Sequence, residues 1–308
     1  MGRIILFAVG GGAVSALCVL SAAFGSPGAI VVTYLTPLPL FVVGLSLGAT
    51  GALVAAASGL FAVAVLGGAT AVIGYAAGCA LPVVLVTRQA LLTRSGAAGA
   101  AEWYPPGRLL LWLVGYGVVG ILAAAVTAAG VDGGLRGAIE SVLAAEQPLL
   151  AVIAGPEADR LTWLLAWLAP GIVAGSWVVM TALNAVLAQW VVMRLHRNLR
   201  PAWAMADIDL PEWTVTALAA AAATAYLVPG TVGYLAFNAS MVVGLAFFFV
   251  GLGVIHAVLR GRRARPLLLA VFYVVLLAQG WMVVLVAGLG VIEQWANFRR
   301  RFAAAGPD

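Results

Sequence analysis

The sequence predicts an all-α fold, a polytopic transmembrane helix bundle with about eight clear spans and a C-terminal stretch that is either one more span or a hairpin. Three observations predict it. Apolar residues make up 64% of the 308 residues, against roughly 45–50% in a soluble domain. Charged residues are 9%, against roughly 25%, and the mean hydropathy is +1.10. The apolar residues also fall into runs near the 20 or so that a membrane-crossing helix needs. A soluble globule of this size could not cover so much apolar surface. Composition therefore excludes a soluble enzyme, a nucleic-acid binder and a disulfide scaffold.

The elements follow in chain order as one membrane domain, 1–308. Its N-terminal part, 4–87, holds four spans. The first run is 4–23, behind Met1, Gly2 and Arg3. A short positive start and Ala22-Ala23 also fit a signal peptide, but another apolar run follows at once and favours an uncleaved helix. The second run, 29–48, is interrupted by Pro37 and Pro39. The third and fourth, 50–66 and 69–87, part at Gly67-Gly68. The loop 88–108 carries Arg88, Arg94 and Arg108, with Trp103, Tyr104 and Pro105-Pro106 as an aromatic belt and a stop signal. The fifth span is 109–131.

Segment 132–160 holds Asp132, Glu140, Glu146, Glu157 and Asp159 against Arg136 and Arg160. Leu135, Ile139, Val142 and Leu143 recur there at helical spacing, which predicts a short amphipathic helix in the membrane interface. The next run is long; Pro170 divides it into an interfacial 161–169 and a span over 171–193. The loop 194–212 is basic again and ends in Pro211-Glu212-Trp213, a helix start. Two spans fill 213–259. The stretch 266–298 closes the chain before the triplet Arg299-Arg300-Arg301.

Orientation comes from arginine, which supplies all 16 basic residues of a chain with net charge +5. Loops 88–108, 194–212 and 260–265 are basic and lie an even number of spans apart, so all three are expected in the cytoplasm with the N-terminus. The acidic segment 132–160 then lies outside. A single span after 266 would put the arginine triplet outside as well. A tight hairpin turning near Gln279-Gly280 would return it, with a first arm, 266–278, of roughly 20 Å.

Glycine is abundant, at 37 residues, and pairs at four-residue spacing: Gly44 with Gly48, Gly74 with Gly78, Gly171 with Gly175. Small residues so spaced share a helix face and let backbones approach. Ala8, Gly12 and Ala16 repeat the pattern on the first helix, a candidate docking face for another subunit or a second copy, with packing within the chain as the alternative.

Charge is nearly absent from the spans, Glu293 apart, which disfavours proton pumps and charged-ring channels. Neutral polar groups remain. Thr33, Tyr34 and Thr36 precede the two prolines, Asn184 lies mid-span, and Asn238 and Ser240 open the last long span. Prolines free backbone carbonyls, and broken helices at membrane depth occur where they are buried in protein or line a cavity. These six residues are the candidate polar pocket; interhelical hydrogen bonding is the plain alternative. Cys18, Cys79, His196 and His256 offer no metal set, no catalytic motif is present, and neither an enzyme nor a cofactor is expected.

Several stretches resemble the YybS-like family of bacterial multi-pass membrane proteins. They are Tyr34 to Leu40 (YLTPLPL), Leu210 to Trp213 (LPEW), Phe249 to His256 (FVGLGVIH) and Gly288 to Arg299 (GLGVIEQWANFR). The likeness runs in order through nearly the whole chain; the family often has Asp at the place of Glu293. It implies a bacterial inner-membrane protein without an established activity. The N-terminal half is similar in style to substrate-capture subunits of vitamin transporters, which borrow ATPases and dock through a small-residue face of the first helix. Ala8, Gly12 and Ala16 are the positions for that role. The expected function is therefore small-molecule uptake without an ATPase of its own, with a non-transporting envelope scaffold as the alternative. The expected partners are the lipid bilayer and other membrane subunits or a homo-oligomer, and no nucleic acid.

Overall fold

Prolines and glycines set the bends in this chain, and the helices run between them. The structure, a computed structural model, describes residues 2–96 and 101–304, with side chains to 301. In chain order the helices are α1 (Gly2–Leu20), α2 (Pro27–Tyr34), α3 (Pro37–Leu47), α4 (Ala49–Tyr75) and α5 (Leu81–Ala90). A short antiparallel pair follows, β1 (Thr93–Ser95) and β2 (Ala101–Trp103). Then come α6 (Pro106–Thr127), α7 (Gly134–Ala145), α8 (Gln147–Ala154), α9 (Ala158–Arg194), α10 (Trp213–Leu227) and α11 (Gly230–Val258). The chain ends in α12 (Arg265–Ala278), α13 (Met282–Ala296) and α14 (Phe298–Ala304).

Six helical stretches are long and apolar enough to cross a membrane, and three shorter apolar helices, α10, α12 and α13, accompany them. The protein is an all-α, multi-pass membrane protein. One stretch, Ala49–Ala90, has 42 residues, about 63 Å of helix, twice the hydrocarbon thickness. It is bent where the sequence places Gly67-Gly68: Gly68 has φ 77° and ψ 179°, a conformation that suits glycine. A π-helical turn, Ala76–Ala80, leads into α5. The loop 88–108 holds the small β-pair; its residues 97–100 lie outside the described residues.

The chain divides into two compact units. Unit 1 comprises Met1–Leu113 and Val179–Ala204; unit 2 comprises Val114–Val178 and Met205–Asp308.

In unit 1, α1 packs along α4 through small residues. Ala8, Gly12, Ser15 and Ala16 are the buried positions of α1. A Cβ on Gly12 would overlap the Ala55 carbonyl and the Gly59 N–H, and one on Gly59 would overlap the Tyr75 hydroxyl. The face expected to receive another subunit is therefore taken up by α4, and the opposite face, with Leu6 and Leu17, is exposed. Gly44 packs against Thr87 of α5, whereas Gly74 and Gly78 face open space.

In unit 2, the first part of α9 and α11 run in the same direction. Gly171 lies against Asn238 and Met241, and Gly175 against Leu245. Gly251 and Gly290 bring α11 and α13 into backbone contact, with Gly290 against the Phe247 carbonyl. Further along the chain, Arg299 reaches the carbonyls of Ala206 and Ile208, beside the Met205 carbonyl that lies on Gly253. So α13 runs in the direction of α11, and the chain doubles back between them through α12 and the break at Gln279–Trp281. The arginine triplet begins at the same end of unit 2 as residues 205–209.

Candidate functional site

A proline inside a helix withdraws one N–H and pushes the neighbouring turn apart. In lipid no water replaces the lost bond, so the freed groups need partners from the protein. The residues singled out at membrane depth meet that need.

In unit 1, Pro37 and Pro39 remove the donors that the Thr33 and Leu35 carbonyls would receive in a helix. The backbone tightens instead. Thr36 N–H donates to Thr33 O at 3.1 Å and Leu38 N–H to Leu35 O at 3.0 Å. The Thr36 hydroxyl adds a second bond to Thr33 O at 2.6 Å. With Leu38 so engaged, the Tyr34 carbonyl takes its donor from Asn184 Nδ2 at 2.8 Å. The same nitrogen also donates to Met180 O at 2.8 Å. Ser15 donates to Thr36 O at 2.7 Å and accepts from the Tyr75 hydroxyl at 2.9 Å. Thr33 donates back to Ala29 O at 2.9 Å. Two acceptors stay unused: Asn184 Oδ1 and Thr181 Oγ1 are buried and have no hydrogen-bond partner. Three residues apart on α9, they share one helix face.

In unit 2, Pro170 leaves the Ala166 carbonyl without a donor, and the Tyr234 hydroxyl supplies one at 2.8 Å. Asn238, fully buried, enters the next turn of α9. Its Oδ1 accepts from Gly171 N–H at 2.7 Å, and its Nδ2 donates to Trp167 O at 3.2 Å and to Tyr234 O at 2.9 Å. The amide thus bridges the opened turn, and α9 continues as one helix of 37 residues through the point where the sequence suggests a division. Ser240 bonds locally to Phe237 O at 2.7 Å.

The six candidate residues therefore fall in two groups. Thr33, Tyr34, Thr36 and Asn184 surround the break in unit 1, whereas Asn238 and Ser240 belong to unit 2. Sequence reasoning missed Ser15, Tyr75, Thr181 and Tyr234. For Tyr234 a signal existed: it precedes Asn238 by one helical turn.

Above Trp167 lies Arg136 of the amphipathic α7. Its guanidinium is 5.2 Å from the Trp167 ring and 5.9 Å from the Trp163 ring, and its Nε pairs with Glu140 at 2.8 Å. His256 Nε2 meets the Tyr273 hydroxyl at 3.0 Å. Glu293 is buried and caps α14: its carboxylate accepts from Phe298 N–H at 2.8 Å and Arg299 N–H at 3.2 Å, and pairs with Arg299 Nε at 2.9 Å. Both cysteines are free. Among the described residues no cluster of His, Cys, Asp or Glu can hold a metal ion.

The loop end of unit 1 is the other polar region. Arg94 and Glu102 face each other across the β-pair in a two-pronged ion pair at 2.7 and 3.0 Å. That hydrogen-bonded guanidinium holds the Glu102 carboxyl below its usual range. Nearby Arg200 is 5% exposed. Its Nη1 donates to Ala90 O at 3.0 Å and its Nη2 to Tyr104 O at 3.5 Å, while its Nε has no partner. The guanidinium lies 5.9 Å from the Trp103 ring. Burial lowers its pKa from the ordinary arginine value.

No curated protein and no solved structure matches the chain. The sequence profile of a family described as a predicted membrane protein, DUF2232, matches residues 13–293. The same range contains both proline breaks and all the side chains that repair them. The chain belongs to the DUF2232 family of predicted membrane proteins.

Proposed function

We propose that this membrane protein is a small-molecule uptake subunit that captures its substrate without an ATPase of its own. One observation carries the reading: Asn184 holds a broken helix by its nitrogen while its Oδ1, with Thr181 Oγ1 one turn away, stays buried and unused. Buried acceptors beside a discontinuous helix are how many transporters meet a substrate near mid-membrane. Leaving them unpaired costs about 1–3 kcal/mol each, which a ligand presenting N–H or O–H donors would recover. The likeness to YybS-like proteins is in keeping with this, and in this reading the N-terminus and the three basic loops face the bacterial cytoplasm, as the positive-inside rule favours. No P-loop is present in the sequence, so energy coupling would come from a partner ATPase.

The test is gentle purification from native membranes, with mass spectrometry of whatever small molecules and subunits remain bound. The expected result is a retained metabolite, lost in a Thr181→Val, Asn184→Leu double variant that still folds. Retention unchanged in that variant sinks the site. Co-purification of envelope-building proteins alone, with no metabolite, favours the scaffold reading.

A further inference from the structure

At the loop end of unit 1 a groove of about 190 Å³ is lined by Thr93, Arg94, Glu102, Trp103, Tyr104 and Arg108, among others. Its charges are unequal. Arg94 and Glu102 neutralise each other. Arg108 is exposed, and no described carboxylate lies within ion-pair distance of it. Behind Trp103 and Tyr104 stands Arg200, nine-tenths buried, with an unpartnered Nε and likewise no described carboxylate. Its two backbone bonds satisfy part of its fork but leave its charge uncompensated. A buried cation in this state is costly, and its field reaches further in a low dielectric than in water. The groove opens where α5 ends and α6 begins, beside Trp103, Tyr104 and Trp112, the residue types of a membrane–water interface.

We infer that this groove takes the phosphate of an anionic membrane phospholipid, touched by Arg108 and attracted by the charge of Arg200. Basic pockets at the headgroup level bind such lipids by the same chemistry. A free phosphate shares that chemistry, but the position between two membrane spans favours the lipid. The inference does not depend on the uptake reading.

The experiment is native mass spectrometry of the full chain in nanodiscs of phosphatidylcholine doped with phosphatidylglycerol, counting lipids retained on release. The expected result is selective retention of phosphatidylglycerol, reduced about fivefold by Arg108→Gln, the effect of about 1 kcal/mol per interfacial arginine. Arg200→Gln also removes the bonds to Ala90 and Tyr104 and disturbs the fold; Arg108→Gln, an exposed position, keeps the test independent of folding. Arg263→Gln in unit 2 serves as the control and should leave retention unchanged. Equal retention of both lipids, or an Arg108→Gln variant that behaves as the parent, overturns the proposal. So does an equal loss in Arg263→Gln, which would mean unspecific attraction. Displacement of the lipid by millimolar inorganic phosphate would overturn the lipid assignment in favour of a free phosphate.

Discussion

Unit 1 and unit 2 face the same difficulty, a helix interrupted by proline among apolar helices, and repair it differently. Two prolines two residues apart split the helix of unit 1 into α2 and α3. Side chains of three other segments, carrying Ser15, Tyr75 and Asn184, then gather around the gap. The single Pro170 of unit 2 leaves α9 continuous, and one helix, α11, supplies both repairing residues, Tyr234 and Asn238. The number of donors removed decides the outcome. One lost donor opens one turn, which an inserted amide can bridge. Two lost donors force the backbone into shorter bonds and end the helix. Unit 2 is left with every atom of its repairing amide in use, whereas unit 1 keeps acceptors to spare.

Breaking that contrast should cost most at Asn238. Asn238→Leu leaves the Gly171 N–H and the Trp167 carbonyl buried and unpaired, and should destabilise the protein by about 2–5 kcal/mol. Thermal unfolding in nanodiscs measures this. In a Pro170→Ala background the helix regains its own bonds, so the same substitution should cost far less; a cost that does not fall would refute the bridging role. Next comes Gly12→Ala, whose Cβ meets backbone of α4 and should cost about 1–3 kcal/mol, while Gly74→Ala, facing open space, should change nothing. Asn184→Leu removes the bonds to Tyr34 O and, within its own helix, Met180 O, along with a buried, unused acceptor. The expected loss is only about 1 kcal/mol, so an effect as large as that of Asn238→Leu would erase the difference between the units.

The smallest effect concerns pH. Glu102 has a lowered folded-state pKa, so its contribution to the β-pair is complete above the unfolded carboxylate value and is lost as pH falls through the folded one. Carbon NMR of the Glu102 carboxyl should report titration below the ordinary glutamate range, returning to it in Arg94→Gln.

Much of the fold was legible because its punctuation is local. Pro37, Pro39 and Gly68 act on their own backbone, and the structure bends where they stand. Leu135, Ile139, Val142 and Leu143 announced α7 by their spacing. For 266–298 the arginine triplet left one span and a hairpin turning near Gln279-Gly280 both open, and the break between α12 and α13 decides for two short helices. The candidate site was less legible. Asn184 and Asn238 stood out as polar residues in apolar runs, but their partners Tyr34 and Trp167 lie 150 and 71 residues away, and one sequence does not say which helices adjoin. Arg200 looked like any loop arginine, because burial depends on Ala90 and Tyr104 folding over it. The β-pair escaped notice because three-residue strands have too little periodicity to see.

The bridge at Pro170 also sets an order of events during synthesis. Gly171 and the Asn238 that completes its turn are separated by 67 residues. At about 5–20 residues per second of translation, the amide arrives about 3 to 13 s after the helix that needs it. Until then the Ala166 carbonyl and the Gly171 N–H have no partner of their own and cannot rest against acyl chains at low cost. Newly made α9 is therefore expected to linger beside the insertion channel, in contact with water or with the machinery, until α11 enters and the two leave as a pair.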